Sequence, residues 1–309
     1  MIPITGPDLY QLPMADYLAD PCPEPSLSSG VAFQLCSASP EHAWTAHRRL
    51  NPVYLQGEDE KFDIGTAAHA LLLEGSAAVE VIDAKDWRTA AAREARDAAR
   101  EAGKIPILTA RWSNVEALVR STQNRIAAHQ ARPTPFTVGD AEQTLIWREG
   151  AIWCRARLDW LHKDHATVDD LKTTSATANP EVWTRTMFGM GYDIQAAFYM
   201  RGLRAVFGTR PAFRFVVVET FPPYGLSVVS LAPDALEMAD RKVAYAIERW
   251  TTCLATDTWP AYTQEVCWAE APPWEVGRWA EREYRASVES APPLDDGRSL
   301  EDQLFGDHR

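Results

Sequence analysis

The most constraining feature of the chain is a run of alternating strand-like segments over residues 142–172, EQTLIWREGAIWCRARLDWLHKDHATVDDLK. Gln143–Trp147 and Ile152–Trp160 are rich in β-branched and aromatic residues and are joined at Glu149-Gly150, a hairpin signal. Residues 162–165 make a second turn and residues 166–171 a third strand. Side chains on a strand alternate between faces. Ile152, Cys154, Ala156 and Leu158 therefore share one face, and Trp153, Arg155, Arg157 and Asp159 the other. On the third strand Val168, Asp170 and Lys172 lie together, opposite Asp169 and Leu171. Two antiparallel neighbours of this kind bring Asp159, Asp170 and Lys172 around one point.

The flanking sequence is mostly helical. Residues 1–27 are Pro-rich and aperiodic and read as an extended arm. Ser28 or Ser29 caps a helix running through VAFQLCSASPEHAW, with Pro40 opening a further turn. The segment FDIGTAAHALLLE (residues 62–74) becomes helical after Gly65, with Thr66 as its cap. Residues 85–104 and 109–130 read as two more helices, the first with alternating charges on an exposed face. Residues 181–207 are helical, and AFRFVVVE (212–219) is an apolar strand with its hairpin partner at 224–231. An amphipathic helix covers 234–254, and residues 271–309 read as an acidic, flexible tail. The order is that of an α/β or α+β core with an N-terminal helical elaboration, occupying residues 28–270.

Composition narrows the classes. Hydrophobic residues make up 46% of 309, enough for a substantial core, and most of the 12 Trp belong there. A net charge of −12 excludes a protein that coats nucleic acid by charge alone. The five cysteines form no C-x-x-C pair, which argues against a disulfide framework, a zinc knuckle or an iron–sulfur cluster and favours reduced cytoplasmic thiols. The N-terminus has no basic start followed by an apolar run, and no window reaches the length of a membrane span.

Carboxylates that converge beside a lysine suit attack on a phosphodiester. Hard oxygen ligands hold Mg²⁺, which acidifies water and offsets charge on the phosphate, while the lysine orients or deprotonates that water if its own pKa is depressed. A D-x-K triplet alone is more often a solvated strand face. The surrounding segments change its meaning.

Asp159 followed by Asp170-Leu171-Lys172-Thr173-Thr174 resembles the signature of the PD-(D/E)-x-K nucleases, and more narrowly the RecB-like branch that includes λ exonuclease and the RecE-type exodeoxyribonuclease VIII. Gly65-Thr66-Ala67-Ala68-His69 is similar to that branch's G-T-x-x-H helix. Residues 141–147, AEQTLIW, resemble the strand with an extra active-site Glu; residues 192–199, YDIQAAFY, resemble the Q-x-x-x-Y helix; and TDTWP (256–260) resembles the closing segment. The ordered combination spans residues 20–262 and is specific, although no single piece is. The first motif reads Leu158-Asp159 instead of Pro-Asp, a change that touches only backbone shape.

The resemblance implies a restriction-endonuclease-like core with a mixed central sheet flanked by helices. It implies Mg²⁺, with Mn²⁺ as an alternative, as two ions held by His69, Asp159, Asp170, Glu142 and the Leu171 carbonyl, and no iron–sulfur cluster. Lys172, Asp159, Asp170, Glu142 and Gln195 are the expected catalytic group. Gln195, Tyr199, Thr173 and Thr174 are expected at the substrate; Arg155 and Arg157 either bind phosphate or balance the carboxylates. Arg48 and Arg49 are candidates for gripping a 5′ end, and Asp302-Gln303-Leu304-Phe305 for a partner hook. The implied activity is 5′→3′ resection of double-stranded DNA ends, by a toroidal trimer or tetramer, for a single-strand annealing protein in phage-type recombination inside a bacterial cytoplasm. A structure- or sequence-specific endonuclease, or an inactive DNA-binding adaptor on the same core, are the alternatives.

Overall fold

The computed structural model describes residues 4–54, 64–165, 167–209 and 212–290. The chain divides into two compact units, Met1–Tyr262 and Thr263–Arg309. The first unit runs β1 (Asp8–Tyr10), α1 (Met14–Leu18), α2 (Ser29–Ser37), α3 (Pro40–Ala46), α4 (Ile64–Leu73), β2 (Val79–Ile82), α5 (Ala90–Glu101), β3 (Ile105–Leu108) and α6 (Thr109–Ala128). It continues through β4 (Gly139–Glu149), β5 (Ile152–His162), β6 (Thr167–Thr174), α7 (Pro180–Gly189), α8 (Tyr192–Phe207), β7 (Ala212–Glu219), β8 (Leu226–Val229) and α9 (Pro233–Thr256).

Six strands form one sheet in the order β1-β4-β5-β6-β7-β8. All neighbours are antiparallel except β6 and β7, which run parallel, so the sheet is mixed. A parallel pair needs a crossover, and α7 with α8 supplies it. Helices cover both faces. On one side Leu145, Trp147, Cys154, Ala156, Leu158, Phe215 and Val217 pack with Trp183 of α7, Phe198 of α8 and Trp250 of α9. On the other, Leu171, Val216 and Val218 meet Ala67 and Ala68 of α4 and Val115 and Leu118 of α6. Val216, Val217 and Val218 are fully buried and divide between the two sides, as the two-residue strand period requires. Trp147 rests on α8 at Gly202, where a Cβ would come within 2.7 Å of the indole. No described helix is long and apolar enough to cross a membrane.

The helix caps follow the sequence. Ser28 accepts the Val31 N–H at the start of α2, and Ser39, followed by Pro40 at the first helical position, accepts that of His42. Thr66 does not begin its helix, since α4 already includes Ile64 and Gly65. The small parallel sheet of β2 and β3 has no counterpart in the expectations: its strands are four residues each, too short to show a period.

The first 27 residues are not a free arm. β1 pairs with β4 along the sheet edge, and Leu12, Cys22, Ser26 and Leu27 are buried. Fully enclosed polar groups anchor this segment. Asp20 accepts from the Ser26 N–H and hydroxyl and lies 3.2 Å from Arg155 and 3.4 Å from His47. Burial presses the Asp20 pKa upward, but His47, Arg155 and Ser26 outweigh it and hold the carboxyl below its ordinary value.

The second unit is likewise not a featureless tail. α10 spans Pro273–Glu289, with Pro at its first turn and the ion pairs Arg278–Glu275 and Arg285–Glu281 at helical spacing. Local pairing of this kind supports a helix even though none of its residues is buried. The Asp302–Phe305 hook lies outside the described residues.

Asp20→Ala leaves the buried Arg155 without its counter-charge and is expected to cost about 3–5 kcal/mol, read by denaturant unfolding at pH 7. Because the folded pKa of Asp20 is depressed, its contribution is present above the unfolded carboxyl value and is lost as pH falls through the folded one, so the gap between wild type and variant closes in acid.

Candidate active site

The site forms where β5 and β6 part. Their paired register is Leu161 with Val168 and Trp160 with Asp169. The next residues along each strand are Asp159 and Asp170, at the mouth of the fork. The Leu171 N–H donates 2.7 Å to Asp159 Oδ2, so a side chain takes over where strand pairing ends.

β5 also changes phase here. Leu158 and Leu161, three residues apart, both pack in the larger core cluster, while Trp160 packs in the other. Glu142 explains the break. It falls between the paired rungs Ala141–Trp160 and Gln143–Leu158, opposite Asp159, and its φ is 56°. A left-handed conformation at a non-glycine residue is strained, and here it turns the Glu142 carboxylate toward the fork. Strict alternation, which puts Asp159 on a common face with Arg155, therefore does not hold through this point.

α4 brings the remaining ligand. Gly65 packs so closely on the end of β6 that a Cβ would lie 2.4 Å from Thr173 Oγ1. One turn further on, His69 Nε2 is 3.1 Å from Asp159 Oδ2, and its Nδ1 is 3.8 Å from Glu142 Oε1. Donor atoms of His69, Glu142 and Asp159 all lie within 4.8 Å of one another. Opposite ligands on one divalent ion stand about 4–5 Å apart, so this nitrogen and these oxygens fit a hard cation.

Asp170 is held differently. Its Oδ2 accepts from Gln195 Nε2 at 2.8 Å, and its Oδ1 is ion-paired with Lys172 Nζ. The ammonium also lies 4.7 Å from the Tyr192 ring centroid and 5.9 Å from that of Phe215. Glu142 in turn is ion-paired with Arg157, which donates 2.7 Å to the Leu12 carbonyl.

The electrostatics follow from crowding acids in a buried fork. Burial and the neighbouring Asp159 charge push Asp170 up to about 6, against the pull of Lys172. Burial also raises Glu142, with Arg157 opposing it. For Asp159 burial acts upward too, but the His69 hydrogen bond and charge, Lys172 and the Leu171 amide bring it below the ordinary value. Burial resists a charged imidazole at His69, yet Asp159, Glu142 and Asp170 raise its pKa. Lys172 is likewise raised: burial favours the neutral amine, but Asp170 and Asp159 prevail. The lysine is thus an ammonium in the metal-free site, contrary to the depressed pKa that a general base needs.

His69, Glu142, Asp159, Asp170, Lys172 and Gln195 therefore meet in one place. Several other candidates do not. Arg155 is buried, bonded to Ser26 and Asp20, and stacked over Tyr17, which leaves it no phosphate to bind. Arg157 balances a carboxylate. Tyr199 is a core residue against Phe213, its hydroxyl pKa raised by burial. Arg49 is tied to the Cys22 and Pro23 carbonyls, while Arg48 is exposed. Thr173 faces α4 and Thr174 closes a turn by accepting the Ala176 N–H, whereas Leu171 does stand at the fork and donates its N–H to Asp159. Tyr192, quoted only as the start of the 192–199 segment, and Phe215, part of an apolar strand, were given no role in the sequence because contact between a lysine and a ring leaves no motif.

The mixed sheet, the helices on both faces and the acidic fork with its lysine define a PDDEXK-type fold. A family model described as a PDDEXK-like domain of unknown function (DUF3799) matches residues 26–270, and the chain belongs to that family. A solved structure of a "putative exonuclease" from Eubacterium rectale superposes with a TM-score of 0.57 at 12% sequence identity, covering 96% of this chain and 99% of that one. No curated protein matches.

A divalent ion bound at the fork would compete with protons on His69 and on Asp170, whose pKa values are both raised, the latter to about 6. Apparent metal affinity, with Mg²⁺ as the probe, is therefore expected to fall as pH drops through that range, by up to about tenfold per unit for each proton displaced. Calorimetric titrations in buffers of different ionisation enthalpy read the released proton directly; no proton release at pH 5.5 contradicts the assignment.

Proposed function

We propose that the protein is a metal-dependent deoxyribonuclease that degrades double-stranded DNA from its ends, 5′→3′, leaving single strands for recombination by annealing. The observation that carries the reading is the convergence of Asp159, Asp170 and Lys172 at one fork, completed by His69, Glu142 and Gln195.

His69, Glu142 and Asp159 would hold one divalent ion, with Asp170 beside them for a second; Mg²⁺ suits the oxygen-rich donors, and Mn²⁺ the imidazole. Bound there, the metal supplies positive charge against the phosphate oxygens and acidity to water. The protein's own groups do the rest. Lys172, as an ammonium, places a fixed positive charge where negative charge grows on the phosphate. Gln195 holds Asp170 by one oxygen and fixes the direction of the other. Arg157 restrains Glu142 and prevents two buried carboxylates from repelling each other out of the fork. Of the three acids, Asp159 is the one whose pKa is held down, by the His69 hydrogen bond and charge, Lys172 and the Leu171 amide.

Polarity, end dependence and pathway rest on the resemblance to the RecE-type and λ exonuclease group, as do a toroidal trimer or tetramer, a single-strand annealing partner and a bacterial cytoplasmic setting for a phage-derived gene. The exonuclease name borne by the Eubacterium rectale protein agrees with end-directed cutting.

Digestion of 5′-labelled linear duplex alongside closed circular DNA with Mg²⁺ tests the proposal. Loss of the linear form alone is expected, abolished by EDTA and lowered about 10²–10⁴-fold in kcat by Lys172→Ala. Cutting of the circle shifts the reading to an endonuclease; an inert wild type reduces the protein to a DNA-binding adaptor.

A further inference from the structure

Lys172 is ion-paired with Asp170 and also lies against two aromatic rings, which have no role in the proposed chemistry. Tyr192 is the first residue of α8, and Phe215 lies on β7, the strand parallel to β6. With Trp183 of α7 they form a small aromatic box. Trp183 stacks on Tyr192 at 5.9 Å and 20°, Trp183 meets Phe215 at 5.6 Å, and Tyr192 meets Phe215 at 6.0 Å. Trp183 and Phe215 are almost fully buried, so the box is rigid. The Lys172 ammonium sits over the Tyr192 face, nearer to it than to Phe215.

The start of α8 is itself fixed. Gly191 has φ 71° and its Cα lies so close to Phe33 that a Cβ would approach the ring to 2.3 Å. No other residue takes that backbone conformation at that contact without strain. The helix is therefore anchored at the position that presents Tyr192, one turn before it presents Gln195 to Asp170.

We propose that Tyr192 is a positioning residue for Lys172. Its ring face, backed by Trp183 and Phe215, holds the ammonium in one orientation through cation–π attraction. A lysine has four rotatable bonds, and its carboxylate partner, Asp170, must also serve a metal. With a cation sharing the Asp170 carboxylate the ion pair would be weakened, and the aromatic face would hold the lysine independently of it. Trp183 acts only by bracing the ring. The proposal rests on the nuclease reading for its catalytic consequence and on geometry alone for the contact.

The two parts separate experimentally. Protein labelled with ¹³C at lysine Cε reports the ring face directly: the Lys172 methylene protons, assigned by their absence in Lys172→Arg, are shifted upfield by the ring current. Tyr192→Phe keeps that shift and Tyr192→Leu loses it, a change that helix packing alone does not produce. In Mg²⁺-dependent digestion of linear duplex, Tyr192→Leu is expected to lower kcat about tenfold with little change in KM, and Tyr192→Phe to retain wild-type kcat. An unshifted Lys172 resonance in the wild type overturns the contact. A shift that is lost in Tyr192→Leu without a fall in kcat overturns the positioning role while leaving the nuclease reading intact. Equal loss of kcat in the Phe and Leu variants transfers the role to the hydroxyl and overturns it as stated. A wild type that cuts no DNA ends the nuclease reading and the catalytic role with it, and the resonance still decides the contact.

Discussion

The Asp159 carboxylate organises this protein. It takes the Leu171 N–H of β6 and the His69 imidazole of α4 on a single oxygen, while its own backbone belongs to β5. Two consecutive strands and a helix ninety residues upstream thus share one acceptor. An uncompensated carboxylate at this depth costs several kcal/mol, so the fork is stable only with its donors in place. Where Asp159 is satisfied, α4 must lie against β6, and the Gly65–Thr173 contact is the steric expression of that demand.

The site shows how a sheet can be interrupted without being lost. Pairing between β5 and β6 ends after two rungs, yet β6 remains paired with β7 over its whole length, from Thr167 to Thr174. The opening is held by side chains in place of backbone hydrogen bonds. On the other side of β5, Glu142 leaves the regular strand conformation at the same level. Two local departures, one on each neighbour of β5, make room for five ionisable side chains, His69, Glu142, Asp159, Asp170 and Lys172, at one level of the sheet.

The strand cluster and its acids were legible because period-two alternation and the Asp-x-Lys spacing survive in the sequence, and the G-T-x-x-H and Q-x-x-x-Y segments added His69 and Gln195 through resemblance. What was not legible shares a physical cause. Arg155 differs from Arg157 by its neighbours alone: Asp20 and Ser26 reach one, Glu142 the other, and those partners are more than a hundred residues away in the first case. The phase change at Glu142 breaks the very rule used to assign faces. The N-terminal segment looks aperiodic because it is stitched down by polar contacts and a three-residue strand, neither of which has a hydrophobic period. α10 was hidden for the opposite reason, since the acidic and Pro-containing stretch beyond it dominates the local composition.

The position of β1 has a consequence for solubility. β4 is an eleven-residue strand with Leu145, Ile146 and Trp147 in sequence, and it would be the edge of the sheet but for β1, which pairs with it at Thr144, Leu145 and Ile146. An open edge of that length and apolarity is a template for pairing with another chain. Three residues near the N-terminus act as a guard strand, and a chain shortened past them would expose an adhesive edge while leaving every residue of the acidic fork in place.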